Sequence, residues 1–140
     1  MGSCFLKKAV SFFISCIIFN NSLLSQDTST VTKADVEKTF YGQASFYADK
    51  FNGRKTSSGD IFSQKKMTCA CNAVKLGTWL RVTNLKNKTS VVVKVNDRIH
   101  PKMKRVVDLS SGAAKAISIT ALHGVGRVKV EVLGTAKPEE

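Results

Sequence analysis

Cysteine, histidine and aromatic side chains are scarce in this 140-residue chain, which holds four cysteines, two histidines, one tryptophan, two tyrosines and eight phenylalanines. Cys4 and Cys16 lie in an N-terminal segment built like a secretory signal peptide: Lys7-Lys8, an apolar run from Ala9 to Phe19, then the polar stretch NNSLLSQDTST. Cleavage is expected near Ser25 or Gln26, which removes residues 1–26 and leaves Cys69 and Cys71. Two cysteines are no disulfide framework, so the fold must rest on an apolar core. The two histidines, His100 and His123, are not placed by the sequence beside these thiols, so a clustered Cys/His metal site is not expected. No metal and no cofactor is called for. His100, between Ile99 and Pro101, reads as a loop residue.

A long hydrophobic run is also missing. The stretch from Ala9 to Phe19 falls short of the roughly 20 apolar residues that span a bilayer, so a retained membrane anchor is the alternative reading, not the first. A second alternative is a membrane tether: Phe13-Ile14-Ser15-Cys16 loosely resembles a bacterial lipoprotein box, which would put a lipid on Cys16. The apolar residues after Cys16 run against it.

Negative charge is the last shortage. Ten carboxylates face 22 lysines and arginines, a formal charge of +12. Loss of Lys7 and Lys8 with the signal, which carries no acid, lowers it to +10. No compact basic run, nucleic-acid motif or interleaving of bases with aromatics accounts for the excess, so nucleic acid is not the expected partner. For an exported monomer an anionic polymer of the cell wall is the better one.

What remains is a single domain. Residues 27–39 are polar and aperiodic, read as a flexible spacer; 40–134 form the domain, and 135–140 a polar tail. Short strands dominate: Gly42 to Tyr47, Thr78 to Thr83, the valine run of TSVVVKVNDR (89–98), Arg105 to Leu109, and the alternating GRVKVEVL (126–133). The turn Leu85–Thr89 makes a hairpin of the second and third. Trp79 is expected in the core, and Gly42, Gly53, Gly59 and Gly77 at tight turns. Only Ser110 to Ile117 looks helical, with Asp108, Ser110 and Ser111 as candidate N-caps. Many strands and one small helix predict a closed or nearly closed β-barrel.

Three polar clusters interrupt this pattern: YADKFNGRKTSSGD (47–60), TCACN (68–72) and Asn96-Asp97-Arg98 at the mouth of the valine strand. Asn-Asp is an ordinary turn opener; the sharper reading is that a rigid strand holds Asp97 at a site. Tyr47, which opens the first cluster, is a candidate for stacking on a sugar. Cys69 and Cys71, two residues apart on a strand, have Cα atoms roughly 6.6 Å apart, at the upper edge of disulfide geometry.

The ordered strings GQASFYADKFNGRKTSSGDIF, LGTWLRVTNLKNKTSVVVKVNDR and RVVDLSSGAAKAI resemble the RlpA-like (rare lipoprotein A) family across residues 41–133. The resemblance implies a six-stranded double-psi β-barrel with one or two short helices. It also implies an exported, periplasmic or envelope-bound lytic transglycosylase that cuts peptidoglycan glycan strands lacking stem peptides. Asp97 matches the aspartate of the family's VNDR motif, and Asp60 in SSGD its acidic residue; these are the implied catalytic pair. Cys71 stands where the family carries the histidine of TAAH. Tyr47, Thr56, Cys71, Asn96, Arg98 and Asp108 are the expected substrate-binding residues. Glycan cleavage needs an acid at the leaving oxygen, and partial burial at the strand mouth is expected to raise the pKa of Asp97 and fit it for that role. The rival reading is a non-catalytic glycan-binding or expansin-like wall protein, favoured by the loss of the histidine.

Overall fold

The computed structural model describes residues 36–139. The expected signal peptide, Cys16 and most of the spacer lie outside the described residues. Six strands, β1 (Lys38–Phe46), β2 (Thr68–Ala70), β3 (Trp79–Asn84), β4 (Ser90–Asp97), β5 (Val107–Leu109) and β6 (Gly126–Gly134), close into a barrel in the order β1-β5-β2-β4-β3-β6. The β1–β5 and β2–β4 pairs are parallel and the rest antiparallel.

The alternation seen in the sequence becomes the barrel wall. Leu80 and Val82 of β3, Val93 and Val95 of β4, and Val128, Val130 and Val132 of β6 all point inward and are buried. Each such side chain contributes about 1.5–3 kcal/mol when removed from water. Asn84 also points inward, and its amide donates to the Ile117 carbonyl at 2.7 Å, which satisfies a polar group that would otherwise weaken the core. The helix α1 (Ser111–Ala116) closes one side, burying Ala113 and Ala114.

Five expectations need correction, the first being Gly42, which was expected at a tight turn and lies in the middle of β1. Strand β1 starts at Lys38, inside the segment read as spacer, because Lys38 and Thr39 pair with Val132 and Glu131 of β6. Trp79 is half-buried, with the Lys94 ammonium 5.9 Å from its ring centre. The helix cap is Ser110, whose Oγ accepts the Ala113 N–H, and not Asp108. Cys69 and Cys71 are both buried and both free thiols; a register shift between Cys69 and Ala70 interrupts the regular strand on which their spacing was reckoned.

Candidate active site

Strand β4 ends at Asp97, and the chain from Tyr47 to Phe62 folds over that end. The loop is a narrow excursion, with Phe62 N–H bonded to the Arg54 carbonyl and Thr56 N–H to that of Asp60. Its tip turns at Gly59, whose φ of 92° suits a residue without a Cβ, and Ser58 N–H ties it to the Asn96 carbonyl of β4. Gln64 fixes the base: its Nε2 donates to the Tyr47 carbonyl at 2.9 Å, and its Oε1 accepts the Ser111 N–H at 2.8 Å.

Asp97 is the hub. Its Oδ1 accepts from Ser57 N–H (3.0 Å), Ser57 Oγ (2.7 Å) and Arg98 N–H (2.8 Å), and its Oδ2 from the Tyr47 hydroxyl (2.7 Å). Partial burial alone would raise its pKa, but the donors from Ser57, Tyr47 and Arg98 outweigh it and hold the carboxyl below its ordinary value. The expected upward shift is therefore reversed: Asp97 rests as a carboxylate. Tyr47 moves the other way, its hydroxyl pushed well above the usual phenol range by burial and by the neighbouring Asp97 charge. It stays a proton donor at any physiological pH.

Beside this hub runs an open groove of about 600 Å³, lined by Tyr47, Phe51, Arg54, Asp97, His100 and Asp108 among others. The cations Lys50 and Arg54 lie over the Phe51 ring, 5.3 and 5.5 Å from its centre. Asp108 accepts Ser45 Oγ at 2.6 Å and is held in a two-point pair by Arg105, at 2.8 and 3.1 Å. Asp108 is thus held within β5, and the cap falls to Ser110, which directly precedes α1.

The structure brings Tyr47, Thr56, Arg98 and Asp108 to the groove with Asp97, and it changes the parts some of them play. The ring of Tyr47 packs on Phe62 at 4.4 Å and edge-on to Phe51 at 5.8 Å. It is placed to orient Asp97 more than to stack on a sugar. Thr56 is buried and shares a hydrogen bond with Ser58. The Arg98 guanidinium turns back to the carbonyls of Cys71 and Val74, so only its backbone N–H serves Asp97. Cys71, Asn96 and Asp60 do not line the groove. Cys71 is wholly enclosed in the core and its thiol pKa is raised by burial, against the backbone N–H groups of Ala73 and Val74 and the charge of Arg98. Asn96 is buried. Asp60 is exposed on the outer turn, with its carboxylate bound by Ser58 Oγ.

Sequence reasoning missed Ser57, Arg105 and the groove position of His100. Serine in a polar loop carries no signal of its own. His100 was read as a loop residue, and it is one, on the groove wall. Among the described residues no group of His, Cys, Asp and Glu is arranged to hold a metal ion.

Residues 39–132 match the model of the family described as lytic transglycolase. The chain belongs to this family. It is 42% identical over 109 residues to a protein of Haemophilus influenzae named endolytic peptidoglycan transglycosylase RlpA, covering 76% of this chain and 38% of the relative. A Synechocystis protein named probable endolytic peptidoglycan transglycosylase RlpA is 43% identical over 100 residues, 71% of this chain and 31% of its own. The family member thus spans about a third of the curated relatives it matches. Two solved structures share the double-psi barrel. An expansin of Clavibacter michiganensis in complex with cellohexaose has TM-score 0.57 and 20% identity, over 73% of this chain and 54% of that one. A Streptomyces papain inhibitor has TM-score 0.56 and 17% identity, over 70% and 96%.

Proposed function

We propose that the mature chain is an exported, monomeric, cofactor-free endolytic transglycosylase of the cell envelope, acting on peptidoglycan glycan strands. The observation that carries this reading is the ionised Asp97 carboxylate, fixed by donors from Ser57, Tyr47 and Arg98 at the edge of an open groove. A lytic cut consumes no water. The 6-hydroxyl of a muramic acid ring attacks its own C1, the O6–C1 bond forms, and the bond from C1 to the bridging oxygen breaks. A resting carboxylate suits the first half: its charge stabilises the oxocarbenium-like ring until Asp97 takes the hydroxyl proton as O6 closes on C1. The same carboxyl then returns that proton to the departing oxygen, so the proton count balances. Asp60, exposed on the outer turn, is not needed for this sequence.

The groove also fits the expected choice of strand. Muramic acids freed of their stem peptides expose lactyl carboxylates, and Lys50, Arg54 and Lys55 present cations along the groove. Incubating the full chain with stripped glycan strands and weighing the products tests the proposal. Products ending in 1,6-anhydro sugars support it, and reducing ends would mark a hydrolase. Glycan binding without any product would leave the binding-module reading, which the enclosed Cys71 in place of a histidine favours.

A further inference from the structure

The end of the barrel remote from Asp97 carries a second hollow with different chemistry. Strand β4 separates the two by seven residues from Ser90 to Asp97, or roughly 23 Å at about 3.3 Å per residue. The β3–β4 hairpin and the segment after α1 meet here, joined by the amides of Asn84 and Asn87 donating to the Ile117 carbonyl. Between them lies a hollow of about 700 Å³, lined by Leu85, Ile119 and Val125, with Lys86 and Arg127 at its border. Beside it Leu122 is 93% exposed and Val125 44% exposed, an unusual placing for apolar side chains grouped on one surface. Lys88 at the hairpin tip and Lys115 in the last turn of α1 add to Lys86 and Arg127. From Ile61 to Asn96 and from Leu109 to Val130 the chain contains no carboxylate, so these cations have no acidic counterpart on their own segments.

We infer that this pole is a membrane contact, in which Leu122 and Val125 enter the headgroup region of a bilayer and the surrounding cations meet acidic phospholipids. A second copy docking through the same patch does not fit, since it would set the same four cations against these. An anionic amphiphile supplies both complements at once: apolar chains for the leucine and negative headgroups for Lys86, Lys88, Lys115 and Arg127.

The test is hydrogen exchange of the full chain on phosphatidylglycerol vesicles and on phosphatidylcholine vesicles. The apolar N-terminal stretch can bring the chain to either surface, so the readout is local, at amides 84–90 and 118–125. These should exchange severalfold more slowly on phosphatidylglycerol only. Each lysine lost should weaken the contact roughly fivefold, so Lys86→Glu with Lys88→Glu should abolish the protection, while an unchanged melting temperature shows the fold intact. Equal protection on both lipids, or protection on neither, overturns the inference. So does protection by soluble polyglutamate without any by vesicles, which would point to a soluble polyanion, protein or wall polymer.

Discussion

At Asp97 a single carboxylate gathers donors from three residues, and its substitution separates chemistry from structure. Asp97→Asn keeps the shape but cannot shuttle a proton, so glycan cleavage should fall about a hundred- to ten-thousandfold while glycan binding persists. The four bonds it accepts also give it a structural share. Loss of the charge-assisted bonds should lower stability by about 1–2 kcal/mol, visible as a modest drop in melting temperature. An Asn variant that cleaves at the normal rate would place the chemistry elsewhere. Because the folded pKa of Asp97 lies below its ordinary value, its contribution to stability is present above the unfolded carboxyl pKa of about 3.9. It is lost as pH falls through the lower folded value. Tyr47→Phe removes one donor from the carboxylate, so that pKa should rise and the acid limb of the pH–rate profile should move to higher pH. A limb that stays in place would show that the phenol does not set the charge state. Cys71 gives a prediction opposite to the one its position invites. With the thiol fully enclosed, Cys71→His must force a larger polar ring into packed core, so thermal unfolding should report a loss of about 1–3 kcal/mol and no gain in cleavage. A faster and equally stable variant would mean that the ring finds a way out to the groove.

Single elements explain what the sequence disclosed and what it hid. Strands β3 and β6 were legible because each alternates over six residues or more with Val or Leu inside, and β4 because four of its first six residues are valine. Strand β2 has three residues and is buried at Cys69 and Ala70, too short for any alternation to show. The capping role went to Ser110 and not Asp108 because Asp108 lies within β5, paired to Arg105 three residues back, while Ser110 directly precedes α1. Asp97 was legible as the polar end of an apolar run; Ser57, forty residues earlier, was not, because only the fold-over of the loop brings it there. Gly42 was read as a turn and lies in the middle of β1. A Cβ there would collide with the side chain of Val106, so its need is for close approach. Gly42→Ala should destabilise by about 1–3 kcal/mol, and Val106→Ala in the same chain should restore part of it. Additive losses in that double-mutant cycle would show that the two sites do not touch.

For the molecule as a whole, composition spoke for export and for an anionic partner, and the barrel supplies the surfaces on which those statements can be tested. Residues 1–26 should be absent from the mature protein, as mass analysis of the exported form will show; an intact Met1 would refute the signal peptide, and a lipid-bearing Cys16 would establish the tether. The closure of the barrel has a mechanical side as well. Its first and last strands are neighbours, with Lys38 opposite Val132 and the Glu37 N–H bonded to the Val132 carbonyl. Both ends of the domain therefore leave from one corner. A pull between them loads this seam as a zipper, one rung after another from Lys38 toward Ala44, and never as parallel rungs sharing the force. Such a seam yields at low tension. It also yields from the outside in, and Phe46 and Tyr47, which carry β1 into the active loop, stand beyond its last rung. Pulled at its two ends, the barrel would fray at that corner first and release Asp97 last.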